Sequence, residues 1–128
     1  MQAQTHLSID RSLCGEPLSI EEGRAVVHLR TTSSMGADAE GLVHGGFVFG
    51  AADYAAMLAV NHPHVVLGSA DCRFTAPVAV GDVVEIIAER TEQRGRKHVI
   101  AVSAKVAERT VLTGTLTTFV LDQHVLDQ

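Results

Sequence analysis

Between Glu40 and Asp71 the chain carries a single Asp, Glu, Lys or Arg, and it is Asp53. It lies in GGFVFGAADYAAMLAVN, Gly45 to Asn61, a run made almost wholly of small and apolar residues. Taking a carboxylate out of water costs several kcal/mol unless it is paired, and the same desolvation raises its pKa. An isolated acid in such a run is therefore a candidate base or nucleophile. The plainer alternatives are a narrow polar edge facing solvent, or a hydrogen bond to a neighbouring strand. Eight residues earlier the same run opens on His44-Gly45-Gly46. Glycines at a helix entry allow close backbone approach, and the first amides of a helix have no acceptor within it. Such a terminus favours a negative oxygen, whether of a phosphate or of a developing oxyanion. Eight residues are about two helical turns, which puts Gly45 and Asp53 on one side of a helix, roughly 12 Å apart.

Other chemistry-bearing residues read more plainly. His62-Pro63-His64 lacks a third metal ligand nearby and reads as a polar loop. Cys14 and Cys72 have neither metal spacing nor a pairing pattern, which suits a reduced intracellular chain, and Cys72 alternates with apolar neighbours as a core thiol does. Thr113, Thr115, Thr117 and Thr118 fit cross-strand pairing. Arg94, Arg96 and Lys97 flank Gly95 and read as a solvated turn, with contact to ligand phosphates as the alternative. The chain holds no Gly-x-Ser-x-Gly elbow, Walker loop or dinucleotide glycine pattern. No metal or cofactor is expected.

The elements that must position Asp53 can be read from patterning. Arg24 to Thr32 is rich in β-branched residues and predicts a strand; Ser33 to Val43 predicts a loop. Gly45 to Asn61 predicts a helix that is apolar nearly all round, ending before Pro63, and so buried on most of its circumference. Strands are expected over Val65 to Thr75, Val83 to Thr91, His98 to Val106 and Thr110 to Leu121, the last ones joined by short turns as an antiparallel meander. Residues 1 to 23, broken by Gly15 and Pro17, leave room for a short strand or helix. One helix apolar on all sides needs a sheet curved enough to wrap it, which is an α+β architecture.

His44-Gly-Gly-Phe-Val-Phe-Gly-Ala-Ala-Asp53 resembles the helix-opening motif of hotdog-fold acyl-CoA thioesterases of the phenylacetyl-CoA and 4-hydroxybenzoyl-CoA type. Phe74, Pro77, Gly81 and Asp82, in RFTAPVAVGD, resemble the later strand-turn signature of the same superfamily. The likeness runs from about Arg24 to Leu121, including element order. It implies a hotdog fold in which the Gly45 amide polarises a thioester carbonyl and Asp53 acts as general base or nucleophile. His44 would support the carbonyl-binding loop, with Gly46 beside it, and in relatives the acid lies across a dimer interface from the glycine. Relatives often carry Asn six residues before the His, where this chain has Asp38. Ser69 or Asp71 would supply a substrate-binding group that some relatives place on the following strand.

Composition bounds the rest. The 128 residues suit one domain, and 46% hydrophobic with 20% charged residues is ordinary for a globular protein. A formal charge of -5 disfavours a nucleic-acid partner. Met1 to Asp10 lacks the apolar segment of a signal peptide, and Asp53 at the middle of the apolar run argues against a membrane span. The expectation is a cytoplasmic acyl-CoA thioesterase, dimeric or tetrameric because a lone curved sheet leaves long edges unpaired. The alternatives are a hotdog protein that binds acyl-CoA without turning it over, and a hydratase or dehydratase, for which no matching acid and histidine pair is found.

Overall fold

The computed structural model describes residues 1–128. A one-turn helix α1 (Arg11–Cys14) leads into β1 (Glu16–Glu21) and β2 (Arg24–Arg30), and a 3-10 turn over Ser33–Met35 precedes the long helix α2 (Gly45–Val60). Four strands follow: β3 (Val65–Phe74), β4 (Val83–Arg94), β5 (Lys97–Val106) and β6 (Arg109–Val120). The six strands form one antiparallel sheet in the order β1-β2-β4-β5-β6-β3, with α2 packed on its inner face. This is the hotdog architecture, one long helix wrapped by a curved antiparallel sheet.

The alternation of side chains along a strand explains the wrap. In β4, Val84, Ile86 and Ala88 are buried while Val83, Glu85 and Glu89 are exposed; in β5, His98, Ile100, Val102 and Ala104 point inward. These side chains meet a helix with almost no polar face: Val48, Ala51, Ala52, Tyr54, Ala55, Ala56, Met57, Leu58 and Ala59 are all buried. Alanine on so many positions lets the sheet close tightly around the helix axis. The helix stops at Asn61, whose left-handed backbone (φ 54°) turns its N–H back onto Met57 O at 2.7 Å.

The segment before β2 resolves into both options left open by the sequence, a helix and then a strand. Asp10 caps α1 through the Ser12 amide, and Gly15, at φ 109°, is the turn into β1. A Cβ at Gly15 would lie 2.4 Å from Val27. The expected loop over Ser33 to Val43 holds the 3-10 turn and is tied down by two isolated bridges, Gly36↔Val43 and Leu42↔Ala79. Buried Thr31 organises the turn before β4: its hydroxyl reaches Asp82 O at 2.6 Å and Ala79 O at 3.2 Å and accepts the Gly81 N–H at 3.0 Å. Arg94 and Lys97 are the last and first residues of the β4–β5 hairpin, where Gly95 adopts φ 58°, and Arg96 pairs with Asp122 at 2.7 Å. No helix is long and apolar enough to cross a membrane.

Candidate active site

Asp53 sits in the third turn of α2, and the helix gives it no local partner. Its Oδ1 is buried and has no hydrogen-bond partner in the chain. That burial pushes the carboxyl above the ordinary carboxylate value. The side chain opens into a cleft of ≈ 410 Å³, shared with Thr5, His6, Met57, Val66 and His124 among others. Oδ1 thus bonds no neighbouring strand, and the half-buried side chain meets solvent at the cleft.

Gly45 begins α2, so its amide and that of Gly46 have no intrahelical acceptor, while the Phe47 N–H is already returned to His44 O at 3.1 Å. A Cβ on Gly45 would lie 3.3 Å from the Phe74 ring, and one on Gly46 would meet the His44 ring at 2.9 Å. Gly45 faces a second cleft of ≈ 400 Å³, walled by Val43, Val48, Phe74, Pro77 and Val111. It is mainly apolar, and its rim carries Phe74, which is 57% exposed. His44 is an exposed N-cap whose side chain makes no capping hydrogen bond; its ring stands edge-on to Phe47 with centroids 6.1 Å apart.

The remaining sequence candidates are placed apart from Asp53 within one chain. Asp38 lies in the loop before α2, where its Oδ1 accepts the N–H groups of Glu40 at 3.0 Å and Leu42 at 3.1 Å. It lines a separate cleft with Leu42, Ala79 and Arg109. Its charge is accordingly not among the causes that raise Asp53, which is lifted by burial alone. Ser69 and Asp71 are exposed on β3, paired with Thr117 and Thr115 of β6. Ala70, one position between them, pairs with buried Leu116, so alternation turns Ser69 and Asp71 to the face of the sheet away from α2. His62 and His64 form a turn in which His62 Nδ1 accepts the His64 N–H at 2.9 Å. No group of three or more His, Cys, Asp or Glu is arranged to hold a metal ion.

Two features escaped the sequence reading. Thr5 and His6 line the Asp53 cleft, although they lie some 50 residues away in the chain and share no motif with it. They are brought there because Asn61 clasps the N-terminal segment, accepting the Gln4 N–H at 2.7 Å and donating to Gln2 O at 3.0 Å. The second is which strand carries an open edge: β3 borders β6 on one side only, and its residues from Gly68 to Asp71 are exposed.

The sequence profile of the thioesterase superfamily matches residues 40–113. The chain belongs to that superfamily. Among solved structures, the uncharacterized protein PH1136 of Pyrococcus horikoshii is 50% identical, with a TM-score of 0.98 over 99% of this chain and 98% of that one. A hypothetical thioesterase of Streptococcus pneumoniae, solved with coenzyme A, is 25% identical with a TM-score of 0.76, over 85% of this chain and 87% of the other. Curated relatives include methylthioribose-1-phosphate isomerase of Aquifex aeolicus, 48% identical over 95% of this chain. Transcription factor FapR of Caldanaerobacter subterraneus is 29% identical over 88% of it. The chain spans 27% of the length of the first relative and 56% of the second.

Proposed function

We propose that the chain is a cytoplasmic enzyme that hydrolyses an acyl-CoA thioester to the free acid and CoA. The observation that carries this reading is Asp53, which lines a cleft with one carboxylate oxygen buried and unpartnered, two turns along α2 from the bare amides of a glycine helix entry. Hydrolysis needs two things from a protein: stabilisation of the oxyanion, and a base or nucleophile to attack the carbonyl. The Gly45 amide, aided by the positive end of the helix, offers the first, with His44 and Gly46 shaping the loop around it. Asp53 offers the second, and desolvation makes its carboxylate a stronger base than one in water. The apolar cleft beside Gly45 suits an acyl group.

Within one chain Gly45 and Asp53 open into different clefts. One thioester would therefore meet the amide of one chain and the acid of another. A homodimer, or a dimer of dimers, formed along the free edge of β3 would bring such clefts together and remove an exposed ten-residue edge. Asp38, Ser69 and Asp71 would then touch substrate only where it extends outside the Asp53 cleft. The CoA bound to the Streptococcus pneumoniae structure supports the substrate class. A second reading, binding of acyl-CoA without turnover, is favoured by the likeness to a transcription factor.

The test is release of free thiol from acetyl-, hexanoyl- and phenylacetyl-CoA by wild type and Asp53→Ala, with light scattering for the mass. Turnover by a particle of at least two chains, falling about 100-fold or more in Asp53→Ala, is expected. Full activity in Asp53→Ala would remove the acid from the mechanism, and a monomer would remove the shared site. Wild type that binds acyl-CoA in calorimetry but releases no thiol would leave the second reading standing.

A further inference from the structure

The Asp53 cleft is walled in part by the N-terminal segment, which presents one group suited to proton chemistry. Thr5 is 5% exposed, and its Oγ1 lies 2.8 Å from His6 Nδ1. His6 is half-buried, with its ring 6.2 Å from that of Tyr54, the helix neighbour of Asp53. Its backbone holds a left-handed conformation, φ 55°, closed by the Ile9 N–H on His6 O at 3.2 Å. A histidine in that conformation costs about 1–3 kcal/mol unless its surroundings impose it. Here they do, since the Asn61 clasp fixes Gln2 and Gln4 just before it.

We propose that His6 is a further catalytic residue of the Asp53 cleft, its Nε2 accepting the second hydrogen of the water that Asp53 activates. This rests on the hydrolytic reading above. With Nδ1–H donating to the Thr5 hydroxyl, Nε2 is left with a lone pair. The attacking water then has an acceptor for each hydrogen, the open Asp53 oxygen, Oδ2, for one and His6 Nε2 for the other. Its oxygen forms the new bond to the acyl carbon and its first proton passes to Asp53. The C–S electron pair departs with sulfur, and the thiolate takes that proton from Asp53. His6 keeps its hydrogen bond throughout and fixes the angle of attack.

The charged and titratable groups around His6 are Asp53 and Tyr54 of α2 and His124 of the C-terminal turn. Burial lowers the pKa of His6, which keeps the ring neutral and able to accept at neutral pH. A protonated His6 has no lone pair to offer. Both Asp53 and His6 must therefore be unprotonated for turnover, and the acid limb of log kcat/KM should approach a slope of about two.

Three variants and one spectroscopic measurement test this. His6→Asn suits the left-handed backbone, but its amide reaches only as far as Nδ1. It should lower kcat about 100-fold with KM little changed. His6→Gln puts an amide oxygen about where Nε2 stands and should restore turnover to within about 10-fold of wild type, with an acid limb of slope about one. In the full-length wild type, ¹⁵N chemical shifts should show the hydrogen on Nδ1. Wild-type kcat in His6→Asn, or an unchanged slope in His6→Gln, would overturn the proposal, as would a hydrogen on Nε2. If wild type releases no thiol at all, the hydrolytic reading has failed, and the ¹⁵N spectrum decides the placement of His6 alone. In that case a His6 titration unmoved by Asp53→Asn would overturn the proposal, by showing that the two are too far apart to hold one water.

Discussion

Replacing Asp53 by alanine should make the protein more stable while removing its activity. A buried carboxylate oxygen without a donor costs about 1–3 kcal/mol. Asp in a helix interior is also less favourable than Ala by about 0.6 kcal/mol. Truncation forfeits little apolar packing, because the deleted atoms are the polar ones lining the cleft. The net gain is about 2 kcal/mol, or a rise in Tm of about 6–10 °C for a chain of this size. The gain has a required pH dependence. Burial raises the folded-state pKa of Asp53, so the folded protein binds a proton more tightly than the unfolded chain does. Wild type therefore recovers stability as pH falls through that raised value, and the advantage of Asp53→Ala shrinks. Calorimetric melts of both proteins at one fixed concentration, at about pH 8 and about pH 4, measure this difference directly. An Asp53→Ala protein that melts lower at the higher pH would refute the reasoning, since the carboxylate would then be holding a partner rather than waiting for one.

Two further substitutions probe the frame of the site. Thr31→Val keeps the volume but strands the Gly81 N–H and removes the hydroxyl from Asp82 O; it should cost about 1–3 kcal/mol in urea denaturation. A Thr31→Val midpoint equal to wild type would mean that this turn does not depend on the hydroxyl. Gly114→Ala would place a Cβ 2.5 Å from Cys72 Sγ and 2.7 Å from Asp71 O. Because the second of these is backbone, β3 must shift against β6, and a loss of about 1–3 kcal/mol in thermal melts is expected.

The helix, its burial and the acid within it were legible because a run apolar on every side can only be a core element, and one charge in it stands out. The five strands from β2 onward were legible from β-branched content and glycine turns to within a few residues. β1 was not, because Pro17 sits inside it and a bulge falls between Pro17 and Ser19, breaking the alternation a strand is recognised by. Ser69 and Asp71 show what one sequence conceals. Only the pairing of Ala70 with Leu116 shows which way its neighbours face, and that pairing joins residues far apart in the chain. His6 shows the same limit more sharply. Its decapeptide is polar and unpatterned, and the side chain lines the Asp53 cleft only because Asn61 ties the segment to the end of α2.

The strand order has a consequence for how the protein is made. β3 follows α2 directly in the chain, yet its neighbour in the sheet is β6, the last strand, with Val65 opposite Val120. During synthesis α2 and β3 leave the ribosome well before the chain that will cover them. The apolar helix must wait through the whole β4–β5–β6 meander before the sheet can close, a topology of high contact order that folds slowly. Over that interval β3 has no neighbour on either edge, and it is the strand left longest without its partner.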